Sequence, residues 1–286
     1  MSTASTVDAA TGYRAGATLR VGTEIRRQLT RRRTQWVLGF LVALPVILFL
    51  AFRFGGDGSS DDTGTGFVAL AKSGAANFTV FTLYVSASFL LVVVVALFCG
   101  DTVASEASWG SLRYLLAAPV PRRRLLTIKV LVGLLYSAVA MLLLTGVSLL
   151  VGTLAFGWHP LRTMAGDDIA AGPAVLRILG ILGYLAVYLL AIAGLASLLS
   201  VCTDAALGAV GGAVLLVIVS GILDQVTALG GLRAVLPTHY SDAYTGLLMV
   251  PADTDAMVRG AVSALIYATV FFTAAAWRFL RKDITS

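Results

Sequence analysis

Long apolar runs separated by short polar stretches dominate the chain. Six of these runs are long enough to cross a hydrocarbon layer about 30 Å thick as helices. They cover Trp36–Phe54, Phe78–Cys99, Leu125–Phe156, Leu176–Val201, Leu207–Leu223 and Gly260–Phe279. The third and fourth runs exceed a single crossing, so the span boundaries hold only to within several residues. The pattern predicts an all-α membrane protein with six transmembrane helices.

The segments around these runs divide the chain further. Residues 1–17 are rich in Ser, Thr, Ala and Gly without periodicity, which predicts a mobile tail. Residues 18–35 place apolar and charged positions at helical spacing, which predicts an interfacial elbow helix with its basic face toward lipid phosphates. Within the transmembrane domain of residues 36–279, the stretch 225–257 carries two short helical patterns broken by prolines, which predicts a segment that re-enters the outer leaflet. Residues 280–286 form a short tail.

Composition and charge set the orientation. Hydrophobic residues make up 58% of the 286 residues and charged residues only 13%, well outside the range of soluble domains. Of the 21 basic residues, 15 fall on the side of the termini in the six-span layout. The positive-inside rule therefore predicts a multi-pass protein of the inner or plasma membrane with both termini in the cytoplasm. Because these basic residues flank apolar spans, anionic lipid explains them and no nucleic-acid partner is expected.

An amphipathic helical pattern occupies residues 101–121, between the second and third runs. Apolar positions recur opposite charged ones, and two prolines end the pattern. A passive interfacial helix that only satisfies the charge rule would also be amphipathic. The spacing carries more information than the amphipathicity. In order, the stretch presents Glu106, Gly110, Leu112, Leu115, Leu116, Pro119, Val120, Arg122, Leu125 and Lys129.

This ordered spacing resembles the permease subunits of type-2 ATP-binding-cassette transporters, the group that includes antibiotic, drug and sodium exporters. Ser111 replaces the usual Thr, and residues 279–284 are similar to the family's basic-Asp-Ile ending. The resemblance implies that residues 101–121 form a coupling helix seated in a cleft of a separate ATPase subunit, where Glu106 pairs with a nearby base. The implied coupling residues are Glu106, Gly110, Leu112, Leu115, Leu116, Pro119, Arg122 and Lys129.

The resemblance also implies the partners of the chain. These are the ATPase subunit with its ATP and Mg, a second permease copy or a homologous permease, membrane lipids, and an exported amphiphilic solute such as a drug, peptide or lipid. The chain itself should bind no cofactor or metal and should not be an enzyme. Its nearest approach to a phosphate-binding loop, Gly66–Ser73, has Ala71 where that loop needs glycine.

Two other classes remain as alternatives. A membrane enzyme would need converging catalytic groups, yet His159 and His239 are isolated in predicted outer loops. An ion-coupled secondary transporter would need charged residues near the middle of its spans, and the six runs carry theirs near the ends.

Hydroxyl residues give the only sequence signal for a substrate path. Thr79, Thr82 and Ser86 share one side of the second run, and Ser220 lies in the fifth. The resemblance implies that these two helices meet at a dimer interface, so we predict that the four residues line the path. Ordinary close packing, with hydroxyls bonded to the backbone, explains them equally simply.

Overall fold

The computed structural model describes residues 21–54, 66–108 and 121–281, and the side chains of all of these except 107 and 108. Its helices are α1 (Val21–Leu29), α2 (Arg32–Phe54), α3 (Phe67–Ala71), α4 (Ala75–Ala87), α5 (Leu90–Ser108), α6 (Arg122–Phe156), α7 (Ala171–Cys202), α8 (Ala206–Asp224) and α9 (Asp255–Arg281). Two 3-10 helices, Thr227–Val235 and Ala243–Leu248, lie between α8 and α9.

Apolar length explains the long helices. Within the described residues, α2, α6, α7, α8 and α9 are each long and apolar enough to cross a membrane, and α4 with α5 passes the same test as a bent pair. The molecule is therefore a membrane-embedded helical protein with five or six candidate crossings. As expected from their long apolar runs, α6 and α7 have 35 and 32 residues.

The second apolar run does not form one straight helix. It breaks at Ser88 and Phe89, where α4 and α5 meet at a bend of 58°. The expectation of a single helix over Phe78–Cys99 is therefore wrong. Neither proline nor glycine, the usual causes of a sharp kink, lies at the break.

The structure is mostly helical, as expected, and carries one small β-hairpin that the hydrophobic pattern does not predict. Strands β1 (Leu161–Arg162) and β2 (Asp168–Ile169) pair antiparallel between α6 and α7. The helix α6 ends at Gly157, whose φ of +74° favours a residue without Cβ. Asn77 on α4 fixes the hairpin, because its side-chain amide donates to the Arg162 carbonyl at 2.8 Å and accepts from the Arg162 amide at 3.0 Å.

The core surrounds α7, which packs against α5, α8 and α9, while α6 packs against α2, α4 and α5. Leu91, Phe98, Leu144 and Leu185 are fully buried where these helices meet. The outer faces carry large exposed apolar side chains, among them Leu154 and Leu207. Such faces suit a lipid environment, since a soluble protein seldom exposes so much apolar surface.

Candidate functional site: a buried ion cluster

Seven charged side chains meet where α1, α5 and α6 come together. Glu24, Arg27, Arg31 and Arg33 come from α1, the turn after it and the start of α2, while Asp101 and Glu106 lie on α5 and Lys129 on α6. We refer to these seven residues as the ion cluster. Among the residues that the structure describes, four bases face three acids here, a formal excess of one positive charge. The cluster stands at the end of α5 and near the start of α6, the two helices that flank residues 109–120.

Glu106 and Lys129 form its centre. The Lys129 ammonium donates to Glu106 Oε1 at 2.9 Å and to Glu24 Oε1 at 2.6 Å. The side chains of Lys129, Glu24 and Glu106 are only 4%, 6% and 1% exposed. Buried charges persist only where they are paired and hydrogen-bonded, because leaving water costs each of them several kcal/mol (order of magnitude). Lys129 therefore pairs with both Glu24 and Glu106, and the three buried side chains depend on one another for their counter-charge.

Three arginines pair with the acids of the cluster. The Arg27 guanidinium places Nη1 2.9 Å from Glu106 Oε1 and Nη2 3.3 Å from Oε2, a fork that matches a carboxylate. Arg31 donates to Asp101 Oδ2 at 2.8 Å and has Nη2 3.5 Å from Glu106 Oε1. Arg33 also pairs with Asp101. Since Arg27 is 40% exposed and Arg31 12%, water screens the outer part of the cluster more than its centre.

The polar side of α1 thus faces the bundle. Glu24 and Gln28 are buried, whereas Leu29 is half exposed. Glu24 and Arg27, which belong to the face expected to meet lipid phosphates, thus pair inside the bundle, and Val21 and Ile25 of the apolar face pack against the core as well. The reason is that Asp101, Glu106 and Lys129 offer buried counter-charges from α5 and α6. A hydrogen bond from the Tyr136 hydroxyl to the Ile25 carbonyl, at 2.7 Å, holds α1 against α6 as well.

A neutral contact ties α7 to the same end of the bundle. The Ser200 hydroxyl is fully buried and accepts hydrogen bonds from the backbone amides of Val103 and Ala104, at 3.1 and 3.0 Å. These amides lie on α5 between Asp101 and Glu106. A small serine near the end of an apolar run gives no sequence signal for such a contact. It joins α7, the central helix, to the segment of α5 that carries the cluster's acids.

The coupling residues inferred from the family resemblance divide into three groups. Glu106 and Lys129 contact each other in the ion cluster. Arg122 begins α6 and is exposed. The others, Gly110, Leu112, Leu115, Leu116 and Pro119, lie outside the described residues, as does most of the expected helix over 101–121. The described part of that segment continues α5 as far as Ser108.

The four substrate-path candidates are buried. The hydroxyls of Thr79 and Thr82 donate to the carbonyls one turn earlier, each at 2.9 Å. Ser86 is 1% exposed, and its hydroxyl has no hydrogen-bond partner among the described residues. Ser220 on α8 bonds the Thr238 hydroxyl at 2.7 Å. The geometry of the two threonines agrees with the packing alternative, and the substrate-path role stays a prediction for all four.

The segment between α8 and α9 is fixed to three helices. Arg177 on α7 donates to two carbonyls at the end of the second 3-10 helix, at 2.8 and 2.9 Å. His239 Nδ1 lies 2.6 Å from the Asp224 carboxylate at the end of α8, and the Tyr267 hydroxyl of α9 donates to the Val235 carbonyl. Burial raises the pKa of the Asp242 carboxyl in this segment, against a hydrogen bond from Ser241 that lowers it.

The chain is thus a membrane-embedded helical protein with the ion cluster at one end of its helix bundle. The chain belongs to DUF2705, a family described as a protein of unknown function, whose profile matches residues 41–285. The matched range includes Asp101, Glu106 and Lys129 and begins after α1. No curated protein matches the chain.

Proposed function

We propose that the chain is the permease subunit of an ATP-driven transporter of the ATP-binding-cassette type. A separate ATPase subunit binds ATP and Mg and hydrolyses the nucleotide, and two permease copies, or this chain and a homologous permease, form the pathway. Six spans, with α4 and α5 as one broken crossing, carry an amphiphilic solute outward by alternating access. The sequence resemblance supplies the class, and the ion cluster is the observation that carries the mechanism.

The cluster provides a rigid base for residues 109–120. The Glu106–Lys129 bond joins the two helices on either side of that segment, and Glu24 with Arg27 adds α1. A displacement of residues 109–120 by the ATPase subunit would therefore move α1, α5 and α6 together as one rigid body rather than bend a single helix. Rigid-body displacement of packed helices is an established way of transmitting a conformational change. The Ser200 contact passes the same displacement to α7.

Purification of the tagged chain from its native membranes tests the proposal. We expect an ATP-hydrolysing subunit to accompany it and vanadate-sensitive ATP turnover in the complex. Glu106→Ala should insert into the membrane normally but lose the ATPase subunit or uncouple its turnover. Asp167→Ala is the matched control, because that acid is exposed in the hairpin turn. A folded wild-type chain without any ATPase subunit, or a Glu106→Ala complex with normal transport and turnover, would refute the proposal.

Orientation is a separate part of the proposal, in which both termini and the ion cluster face the cytoplasm. The structure supplies two suitable labelling positions. Cys202 is exposed at the end of α7, two residues from Ser200 and so at the cluster's end of the bundle. Met164 is 61% exposed in the hairpin, which Asn77 holds near the start of α4 at the other end.

On intact cells an impermeant maleimide should label Met164→Cys in a Cys202→Ser background. It should label native Cys202 only after the membrane is opened, because the dense Arg clusters at that end are costly to translocate. The opposite labelling pattern would place the cluster outside, beyond the reach of an ATP-driven partner, and would contradict the transporter class.

A further inference from the structure

A cavity of about 280 Å³ lies between α7, α8 and α9. The segment that connects the two 3-10 helices covers one side of it through Pro237 and Thr238. The remaining lining comes from the three helices, namely Tyr188, Ala191, Ile192, Leu195, Leu216, Val217 and Phe271. The cavity is distinct from the ion cluster, and none of the functions discussed above uses it.

The walls of the cavity are almost entirely apolar. Tyr188 and Thr238 are the only lining residues with a polar side-chain atom. The Thr238 hydroxyl is already bonded to Ser220, at 2.7 Å. A water molecule needs about two to four polar partners to occupy a cavity stably, and a charged group needs a counter-charge. The walls therefore favour a neutral hydrocarbon group over water or an ion.

The position of the cavity makes membrane hydrocarbon the available ligand. Tyr188 and Leu195 lie in the interior of the 32-residue α7, and Leu216 lies near the middle of α8. These positions are far from the helix ends, so they fall at the depth of lipid chains. Leu216 is 49% exposed at the rim, and the cavity therefore opens on the apolar surface of the bundle rather than on water.

We propose that this cavity binds one alkyl chain of a membrane amphiphile. The cavity's volume of about 280 Å³ is close to the lower end of the range of small-ligand pockets, about 300–1,000 Å³, and so suits one alkyl chain rather than a bulkier ligand. Pockets for small ligands are typically apolar with a few polar groups, and here these are Tyr188 and the Thr238 hydroxyl that bonds Ser220. A phospholipid and a single-chain amphiphile share this chemistry. The assignment is independent of the ATPase partner and stands or falls separately from the proposed function.

Photolabelling in lipid nanodiscs tests the assignment. The probes are a phospholipid and a free fatty acid that each carry a diazirine in the alkyl chain, and mass spectrometry locates the adducts. We expect enrichment on residues 188–195 and 216–217 relative to Val262, Leu265 and Ile266, which are exposed on the outer face of α9. Ala191→Phe fills the cavity and should lower the adducts there by about tenfold or more, a change that corresponds to the loss of about two methylene contacts.

Two further variants make the result decisive. Leu215→Phe places the same phenyl ring on α8 beside Leu216, at a position that is exposed and does not line the cavity, so its adducts should match the wild type. If Ala191→Phe does not fold, Leu216→Trp closes the half-exposed rim without filling the buried wall. Equal labelling of the cavity and of the exposed Val262, Leu265 and Ile266, or unchanged labelling in both the filling and the rim variant, would overturn the proposal.

The two probes also distinguish the source of the chain. If an excess of unlabelled fatty acid removes the fatty-acid adducts and an excess of phospholipid does not, the ligand is a single-chain amphiphile. The reverse result identifies a phospholipid. Either result supports alkyl-chain binding at this cavity.

Discussion

Replacement of Glu106 by Gln is the sharpest perturbation of the ion cluster. Gln keeps the size of the side chain and removes its charge. Lys129 then retains only Glu24, and Arg27 loses the carboxylate that matches its guanidinium. Four bases would face two acids, so the formal excess rises from one positive charge to two. The substitution should destabilise the junction of α1, α5 and α6 without changing its shape.

The expected cost follows from burial. Loss of one partner of a buried pair typically costs about 3–5 kcal/mol. Because Arg27 is 40% exposed, water screens its interaction with Glu106. We therefore expect a loss near the lower end of this range, about 3 kcal/mol of unfolding free energy. For a domain of this size that loss lowers Tm by about 6 to 12 °C. Thermal unfolding of the purified chain in one detergent, followed by tryptophan fluorescence, measures the shift.

A double-mutant cycle separates pairing from general damage. Lys129→Met alone should also destabilise, since it leaves Glu24 and Glu106 buried without their common base. The variant that combines both substitutions should lose less than the sum of the two, with a coupling energy of about 2 kcal/mol. Asp167→Asn, an exposed acid, should stay within about 0.5 kcal/mol of the wild type. Additive losses, or a Glu106→Gln shift no larger than that of Asp167→Asn, would refute the pairing.

Helix packing and the segment between α8 and α9 give two further predictions. A Cβ on Gly152 would lie 2.9 Å from the Ala75 Cα, so Gly152→Ala should lower the free energy of thermal unfolding by about 1–3 kcal/mol. Gly146 has open space around it, so the control Gly146→Ala should stabilise α6 by up to about 1 kcal/mol. Equal shifts in the two variants would contradict the close contact at Gly152. Arg177→Met removes two hydrogen bonds to the end of the second 3-10 helix and should accelerate amide hydrogen exchange over residues 243–250 several-fold. Arg259 is exposed, so the control Arg259→Met should leave the exchange unchanged. Wild-type protection in Arg177→Met would show that these two hydrogen bonds do not hold the segment.

Hydrophobic length alone predicts much of the fold. The fifth apolar run, Leu207–Leu223, differs by one residue at each end from α8, Ala206–Asp224. The agreement has a simple cause, because the thickness of the hydrocarbon layer fixes how long an apolar helix must be. Hydrophobic length does not predict the bend between α4 and α5. Both halves are apolar and no proline or glycine separates them, so the break depends on packing that a one-dimensional pattern does not contain.

The ion cluster is only partly visible in the sequence. The family resemblance pairs Glu106 with a nearby base, and the structure identifies the bases as Lys129, 23 positions away, and Arg27, 79 positions away. Helical spacing in α1 predicts a polar face but does not say what that face meets. Lipid phosphates and buried carboxylates both satisfy arginine, and only the tertiary arrangement decides between them. Glu24 is the distinguishing residue, since an acid has no reason to face phosphates.

The helix α7 lines the alkyl-chain cavity and also contacts α5 beside the ion cluster. At one end α7 offers Ser200 to the backbone of α5 beside Glu106, and toward the other end Tyr184 donates to the Tyr240 carbonyl of the segment that covers the cavity. The 16 residues between Tyr184 and Ser200 span about 24 Å, and the wall from Tyr188 to Leu195 lies between them. A rigid displacement of α5 therefore reaches the cavity and its cover through a continuous buried helix. Under the proposed function, the same helix that receives the motion of the ATPase subunit also forms the wall against which a membrane amphiphile packs.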